Sequence, residues 1–242
     1  PLGKNHTTLR YRDCSSGAPL RIAVYSSVLY GEDFIEPSIQ SILPYVERVY
    51  VVMMTKPWGN TTGVFYKGSW VKWPDPFDRT REIVLALRNP RVEIIDAYKY
   101  SPWNRWGFAV NEIVRKECEP TEVVLLDPDC VLSTTESEKI FSEWDSHPEF
   151  RWAQPRQVEL WKTPKWQVVR PRSMMSIHRG DLSLLLSGER SSRNIEVPKT
   201  HWLAGTVHNF GFCVSDRTMY WKHLTALSFG PIVGDTPPNP NW

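Results

Sequence analysis

Apolar and amphipathic stretches alternate over roughly the first 150 residues of the chain. Four short stretches are rich in apolar side chains and are typical of buried strands, at residues 20–27, 48–54, 91–97 and 122–127. Between them, apolar side chains recur at helical spacing, at residues 37–46, 78–89 and 104–116. Strands separated by helices need crossover connections, which are right-handed and build a parallel sheet. The pattern predicts an α/β fold with a Rossmann-like, mainly parallel central sheet and helices on both faces.

The ends of two helices carry capping signals. Asp78 precedes the helix that begins near residue 79, and Thr135 with Glu138 has the spacing of a capping box for a helix after the fourth strand. Both signals place helix starts directly after strands or loops, as the alternating pattern requires.

The pattern changes from residue 149 onward. Residues 156–162 and 165–171 predict a hairpin around Thr163-Pro164, and residues 206–214 predict a strand interrupted by Gly211. We therefore predict one domain over residues 18–242. Its first part, at 18–148, is expected to bind a nucleotide. Its second part, at 149–242, is expected to face a second substrate, the acceptor, and is called the acceptor-side part. Residues 1–17 are interpreted as a tag remnant and an N-terminal extension, since Pro1-Leu2-Gly3 lacks an initiator methionine.

Composition narrows the function classes only slightly. A net charge of +2 over 242 residues provides no general attraction to nucleic acid or membranes. The four cysteines form no CxxC pair and have no zinc-like spacing, which favours a reduced, cytoplasmic protein. No run of about 18 apolar residues occurs, so no membrane span is expected. The 12 tryptophans suit packing in the core and stacking on sugars or bases.

The chemistry begins where the fourth apolar stretch, VVLLDPDCVLS, runs into Asp127 and Asp129. Ligands of open parallel sheets bind beyond the carboxyl ends of the strands. We expect the two carboxylates to share one face of the strand, with Pro128 restricting the backbone between them. Two adjacent carboxylates repel unless a cation bridges them, and hard oxygen ligands suit Mg²⁺ or Mn²⁺. The alternative is structural: Asp127 ends the strand and Asp129 supports its turn. Cys130 is interpreted as a small buried residue.

In this order of motifs the sequence resembles the family 2 glycosyltransferases, which use nucleotide-sugar donors and have the GT-A fold. The resemblance lies in RIAVYSSVLYGEDFIEPSIQSILPYVERVYVV and in NRWGFAVNEIVRKECEPTEVVLLDPDCVLS. It implies that Asp127 lies near the nucleotide and that Asp129 is a metal ligand. It also implies that Ser26 and Ser27 bind the nucleobase and that Arg105 faces the diphosphate, although Arg105 equally suits a solvated helix start. The second strand ends in Met53-Met54-Thr55, where many relatives carry an aspartate near the base. The identity of the base is therefore open, and the donor nucleotide is UDP or GDP.

An inverting transfer needs a carboxylate that deprotonates the acceptor hydroxyl. In the family that acid follows a glycine-bearing strand, and Asp235 in GPIVGDTPPNPNW has this position. Gly234 precedes it, whereas the family motif usually reads Glu-Asp. Asp216 is the competing candidate, and its neighbours are typical of an ordinary turn.

Histidines, tryptophans and arginines supply further candidates. His208, and less so His201, can complete a Mn²⁺ site, because imidazole supplements carboxylates, but a histidine that only forms hydrogen bonds at the surface or in the core is more common. Five tryptophans could stack on sugar or base, or could simply pack in the core: Trp103, Trp106, Trp161, Trp166 and Trp202. A basic cluster could meet a phosphate-bearing acceptor such as DNA or a lipid-linked glycan, or could form a solvated face: Arg170, Arg172, Arg179, Arg190 and Arg193.

Together, these expectations predict that the protein is a metal-dependent glycosyltransferase, either a hexosyl- or a pentosyltransferase. It is expected to move a sugar from a nucleoside diphosphate to an acceptor hydroxyl with inversion. The acceptor is a glycan or another hydroxyl-bearing polymer, including modified DNA. Two alternatives remain. One is a sugar nucleotidyltransferase, although SSVLYGED is not the glycine-rich, basic loop that such enzymes carry after the first strand. The other is a non-catalytic module that binds carbohydrate or nucleic acid.

Overall fold

The fold is seen in a computed structural model, which describes residues 20–54, 62–74, 78–96, 113, 122–170, 173–179 and 201–228. One nine-stranded mixed sheet forms its centre, and a two-stranded hairpin lies apart from it. The strands of the first half are β1 (Arg21–Val28), β2 (Arg48–Met53), β3 (Gly63–Tyr66), β4 (Ser69–Lys72), β5 (Val92–Asp96) and β6 (Glu122–Leu126). Those that follow are β7 (Cys130–Val131), β8 (Trp152–Trp161), β9 (Thr163–Arg170), β10 (Ser176–Arg179) and β11 (His201–Phe212).

The strand order in the large sheet is β5-β2-β1-β6-β10-β8-β11-β7, and β9 pairs with β8. The first four strands of this order are parallel neighbours. Strand β10 is antiparallel to both β6 and β8, whereas β11 runs parallel to β8. The predicted mainly parallel α/β sheet is therefore confirmed. The predicted hairpin corresponds to the antiparallel pair β8 and β9, but its turn is at Lys162, with a φ of 58°, and Thr163 and Pro164 already belong to β9.

Helices cover both faces of the sheet. The helices whose bounds lie within the described residues are α1 (Ile35–Ile42), which continues into a 3-10 turn at Leu43–Tyr45, α2 (Thr80–Ala86), α3 (Thr134–Ser146) and α4 (Asp216–Ser228). Helices α1 and α3 pack on the face that carries Tyr25 and Val51, and Leu224 of α4 packs on the face that carries Val24. None of the described helices combines the length and the apolarity that a bilayer crossing requires.

The cap of α3 lies two residues before the predicted one. Ser133 is the N-cap residue, and its hydroxyl oxygen accepts a hydrogen bond from the Glu136 backbone N–H at 3.3 Å. The prediction of Thr135 with Glu138 as a capping box was wrong, because the serine two positions earlier has the extended backbone that a cap needs. The predicted cap of α2 is also displaced: Arg79 is the N-cap residue and forms no side-chain cap hydrogen bond, while Asp78 lies one residue earlier and its Oδ1 accepts from the Thr80 N–H at 2.9 Å.

The strand order reverses at β1, and this reversal determines where a ligand can bind. From β1 the chain adds β2 and β5 on one side and then returns to place β6 on the other. In open α/β sheets a crevice forms outside the carboxyl ends of the strands at such a switch point. The carboxyl ends of β1 and β6 therefore define the candidate site, and Asp127 follows the last residue of β6.

The opposite end of the same strands is closed by ion pairs. Glu122, at the start of β6, accepts hydrogen bonds from Arg21 Nε at 2.5 Å and from Arg179 Nε at 2.8 Å. Side-chain exposure is 8% for the glutamate and 16% for each arginine. Arg179 was predicted in a basic cluster for a phosphate-bearing acceptor, and this assignment is corrected: its guanidinium is largely buried and joins β10 to β6.

Candidate functional site

The Asp127-Pro128-Asp129 stretch forms a tight turn between β6 and β7. The Cys130 backbone N–H donates a hydrogen bond to the Asp127 carbonyl oxygen at 3.1 Å, which closes a four-residue turn. Proline at the second position of such a turn is favoured because its fixed φ already suits it. The expectation that both aspartates share the face of a strand was wrong. The turn, rather than strand alternation, determines where the two carboxylates lie.

Asp129 is held by side chains that are distant in sequence. Its Oδ1 accepts a hydrogen bond from Asn209 Nδ2 at 3.1 Å, and its Oδ2 accepts one from Lys222 Nζ at 3.0 Å. The Phe210 backbone N–H also donates to the Asp129 carbonyl oxygen at 2.8 Å. The Asp129 side chain is 13% exposed. Strand β11 and helix α4 thus fix this carboxylate at the edge of the sheet.

Gly211 provides the space beside the carboxylate. A Cβ atom at this position would lie 2.9 Å from both Asp129 Oδ2 and Asn209 Oδ1. Any other residue would therefore push into the pocket around the Asp129 oxygens. The glycine that interrupts the predicted strand therefore has a steric role at the candidate site. The two carboxylates of the turn offer hard oxygen ligands, which are the ligands that Mg²⁺ and Mn²⁺ prefer.

Cys130 directly follows Asp129 in the chain and is fully buried. Burial raises the pKa of its thiol well above the ordinary value, and the negative charges of Asp129 and Asp127 raise it further. Asn209 Nδ2 lies 3.6 Å from its Sγ atom. The interpretation of Cys130 as a small buried residue is confirmed, because the thiol remains protonated and inert.

His208 lies on the neighbouring strand but does not complete a three-ligand site. It pairs with Val131 of β7, whereas Asn209 pairs with Cys130. Successive side chains of a strand point to opposite faces, so His208 faces away from Asn209 and its Asp129 partner. Among the described residues, no three His, Cys, Asp or Glu side chains come together as a metal site. The predicted metal set of Asp127, Asp129 and His208 therefore does not come together among the described residues, and the metal role of the two aspartates stays a prediction.

Several predicted site residues fall at the borders of the described structure. Ser26 and Ser27 belong to the final part of β1, at the correct edge of the sheet, but only their backbone is described. Arg105 and Asp235 lie outside the described residues, as do Trp103 and Trp106, and so do Arg172, Arg190 and Arg193. Asp216 is the first residue of α4 and is exposed.

The aromatic and histidine candidates of the acceptor-side half have mixed environments. The Trp161 ring packs against Phe212 with centroids 4.7 Å apart, and the His201 ring stacks on Phe150 at 4.0 Å. Trp202 is 46% exposed. The side chains of Trp166 and Arg170 lie outside the description, although their backbones belong to β9. Of these candidates, His201 and Trp161 have packing partners that explain them without a ligand.

Two residues of the site were missed by the sequence reasoning. Asn209 follows His208 in the predicted strand and lies two residues before Gly211. Residues two apart in a strand share a face, and this spacing is a signal that could have identified Asn209. Lys222 has no such signal, since it is one of 29 lysines and arginines in the chain and no motif distinguishes it from the others. Only the packing of α4 against the sheet brings its ammonium group to Asp129.

No protein-family profile and no curated protein matches the sequence. Similar solved structures include GalNAc-T7 with UDP, GalNAc and Mn²⁺, at 9% identity and a TM-score of 0.39, with coverage of 60% of this chain and 24% of that one. Glucosyl-3-phosphoglycerate synthase from Mycobacterium tuberculosis, with Mn²⁺, UDP and glucosyl-3-phosphoglycerate, has 13% identity, a TM-score of 0.43 and coverage of 68% and 57%. CMP:2-keto-3-deoxy-manno-octonic acid synthetase with CTP has 12% identity, a TM-score of 0.45 and coverage of 87% and 98%. This chain thus spans less than two thirds of the first two.

Proposed function

We propose that this chain is a metal-dependent glycosyltransferase that moves a hexose or pentose from a nucleoside diphosphate sugar to an acceptor hydroxyl, with inversion. One observation supports it most: the Asp127-Pro128-Asp129 turn follows β6 directly beside β1, at the reversal of strand order. That edge is where open α/β sheets bind their ligands. A pair of acids there suits a cation and a diphosphate better than it suits a purely structural turn.

The proposal gives each acid of the turn a task. Asp129 holds Mn²⁺ or Mg²⁺, and Asp127 lies nearer the ribose and diphosphate of the donor. When bound, the cation would neutralise the negative charge that grows on the leaving diphosphate. Gly211 supports this assignment, because a side chain there would occupy the space beside Asp129 Oδ2.

The remaining tasks belong to residues predicted from sequence. Ser26 and Ser27, at the carboxyl end of β1, contact the nucleobase of a UDP or GDP donor, and Arg105 pairs with its diphosphate. Asp235 takes the proton of the acceptor hydroxyl while that oxygen forms its bond to the anomeric carbon. The bond from that carbon to the diphosphate oxygen breaks on the opposite face. The acceptor class is a glycan or another hydroxyl-bearing polymer, including modified DNA.

Binding measurements test the metal and nucleotide parts of this proposal. Calorimetry with UDP and GDP, with and without Mn²⁺, should show that Mn²⁺ tightens binding of one nucleotide. In Asp129→Asn that gain should fall by at least about tenfold, because a metal ligand is lost. The matched control is Asp96→Asn, which changes another strand-terminal acid with a cationic partner, since Asp96 Oδ1 accepts from Arg81 Nη1 at 2.6 Å. Equal losses in the two variants would contradict the proposal.

Turnover distinguishes the proposed reaction from its alternatives. Release of nucleoside diphosphate from a nucleotide sugar in the presence of Mn²⁺, reduced in Asp235→Asn, is the expected result. Release of pyrophosphate from a nucleoside triphosphate and a sugar phosphate would instead identify a nucleotidyltransferase. Sugar binding that is indifferent to nucleotide and Mn²⁺ would identify a non-catalytic module.

A further inference from the structure

Lys222 of α4 reaches the same carboxylate that is proposed to hold the metal. Its ammonium nitrogen lies 3.0 Å from Asp129 Oδ2 and 3.3 Å from the Gly211 carbonyl oxygen. Side-chain exposure is 28% for the lysine and 13% for the aspartate. With Asn209 bonded to the other oxygen, both oxygens of this carboxylate have partners within the chain. The pair is thus more shielded than an ordinary surface ion pair.

Contacts to the loop after β1 fix the position of α4. Asp33 Oδ2 accepts hydrogen bonds from Thr218 Oγ1 at 2.8 Å and from the Ser215 backbone N–H at 3.3 Å, at the first turn of the helix. Further along α4, one helical turn after Trp221, the Thr225 hydroxyl forms a hydrogen bond with the Tyr30 hydroxyl. The loop at the carboxyl end of β1 therefore holds the helix that carries Lys222.

The small hairpin packs against the other side of α4. Tyr66 of β3 makes edge contacts with the rings of Tyr220 and His223, with centroids 6.4 and 5.9 Å away. Trp73, just after the hairpin, makes an edge contact with Trp221 at 6.2 Å. Because the helix is held on both sides, Lys222 is directed at Asp129 by the fold rather than by a chance side-chain conformation.

A metal ion and this ammonium group cannot share the carboxylate oxygen without cost. A divalent ion bound to Asp129 Oδ2 would lie about 2.1 Å from it, next to an ammonium nitrogen that already contacts that oxygen. Like charges a few ångströms apart in a partly shielded site repel strongly. The flexible four-carbon stem of lysine allows the ammonium to withdraw, whereas Asn209 and Gly211 are fixed in a strand.

We propose that Lys222 is a resident counter-cation of Asp129 that a divalent metal must displace, so that Lys222 lowers the metal affinity of the site. This inference rests on the proposed function, because it takes Asp129 as the metal ligand. It identifies Lys222 as a positioning residue: it holds the carboxylate in place before the metal binds. The metal therefore binds this site most tightly when a second ligand binds together with it and contributes its own binding free energy.

The test measures Mn²⁺ binding directly, from the spectroscopic signal of free Mn²⁺, with no nucleotide and at constant pH and salt. Lys222→Met keeps the apolar stem and removes the charge, and its Mn²⁺ affinity should exceed that of the parent chain by about tenfold. The matched control is Lys139→Met on α3, which removes a lysine whose Nζ lies 2.7 Å from Glu136 Oε1. That variant should bind Mn²⁺ like the parent. Lys222→Arg keeps a positive charge and should show no gain.

The outcomes separate this inference from the proposed function. Unchanged or weaker Mn²⁺ binding in Lys222→Met, no binding in either protein, or an equal gain in Lys139→Met would each overturn the inference. If Lys222→Met does not fold, Lys222→Gln replaces it under the same criteria. Adding Asp129→Asn to Lys222→Met should abolish the gain. The proposed function fails separately, if Asp129→Asn leaves the Mn²⁺-dependent nucleotide binding of the parent chain intact.

Discussion

Glu122 offers the sharpest test of what holds the sheet together behind the candidate site. The carboxylate joins three strands, because Arg21 belongs to β1, Glu122 to β6 and Arg179 to β10. Its oxygens lie 2.5 Å from Arg21 Nε and 2.7 Å from Arg179 Nη2. Replacing Glu122 with Gln keeps the size of the side chain and removes the one charge that both guanidinium groups share.

The size of the effect follows from burial. Breaking a buried ion pair by removing one partner costs about 3 to 5 kcal/mol of unfolding free energy. Glutamine retains one acceptor oxygen, and both arginines keep other acceptors, such as Asp145 for Arg21 and the His147 carbonyl oxygen for Arg179. We therefore expect a loss near the lower end, about 3 kcal/mol, which lowers the Tm of a chain of this size by about 6 to 12 °C.

The pH dependence gives an independent signature. Burial alone would raise the pKa of Glu122, but hydrogen bonds and charge from Arg21, with help from Arg179, hold that pKa below its ordinary value. A lowered pKa means that the stabilisation is complete above the pKa of the unfolded chain, about 4.3, and is lost as the pH falls through the folded value. The difference between parent and Glu122→Gln should be constant from pH 8 to about pH 5.5 and should shrink below about pH 4.

Urea unfolding followed by tryptophan fluorescence at pH 7 and at about pH 3 measures both quantities. The matched control is Glu82→Gln, because the Arg79–Glu82 pair is exposed, at 72% and 69%, and such pairs contribute about 0 to 1 kcal/mol. A loss below about 1 kcal/mol for Glu122→Gln at pH 7, or an equal loss for Glu82→Gln, would refute the reasoning.

Three further predictions concern packing and protonation. Gly205→Ala should lower the unfolding free energy by about 1 to 3 kcal/mol in urea titrations, because a Cβ there would collide with Ile140 and lie 2.8 Å from the Glu136 carbonyl oxygen; a neutral result would show that α3 can move away from β11. Gly211→Ala should displace the Asp129 carboxylate and weaken Mn²⁺-dependent nucleotide binding in calorimetry, with Gly68→Ala, an open turn position with φ of 80°, as the variant that leaves binding intact. Burial lowers the pKa of His178 to about 3, so between about pH 6.5 and pH 3 the unfolded chain binds the extra proton and stability falls with falling pH, by at most about 1.4 kcal/mol per unit from this group. His178→Gln should therefore lose less stability than the parent between pH 7 and pH 5, and an equal loss would contradict the assignment.

Hydrophobic periodicity located most of the parallel half of the sheet. The apolar stretches at residues 20–27 and 48–54 correspond to β1 and β2, within one residue at each end. Buried strands and amphipathic helices leave local signals, because each element must present its own apolar side chains to the core. The hairpin of β3 and β4 was missed, since its short strands lie in a stretch dominated by Gly, Trp and Pro.

The helix cap of α3 and the backbone after β6 were predicted less well, because in each place two residue types compete for one structural role. Ser133 caps α3 instead of Thr135, and Pro128 makes a turn of the segment that was expected to continue the strand. In both places the residue types were recognised, but their backbone conformation depends on where the preceding strand ends. A shift of two residues is enough to change which side chain meets the helix terminus or the edge of the sheet.

By itself, the sequence determined that strands and helices alternate, that Cys130 is buried, and that two acids follow the fourth strand of the parallel half. Only the tertiary structure decided what surrounds them. Asp129 meets Asn209 and Lys222, which are 80 and 93 residues away in the chain. Such pairs depend on strand order, register and helix docking, and none of these is encoded in the periodicity of one segment. The physical reason is that burial selects faces locally, whereas partners of a polar side chain are selected by the packing of the whole sheet.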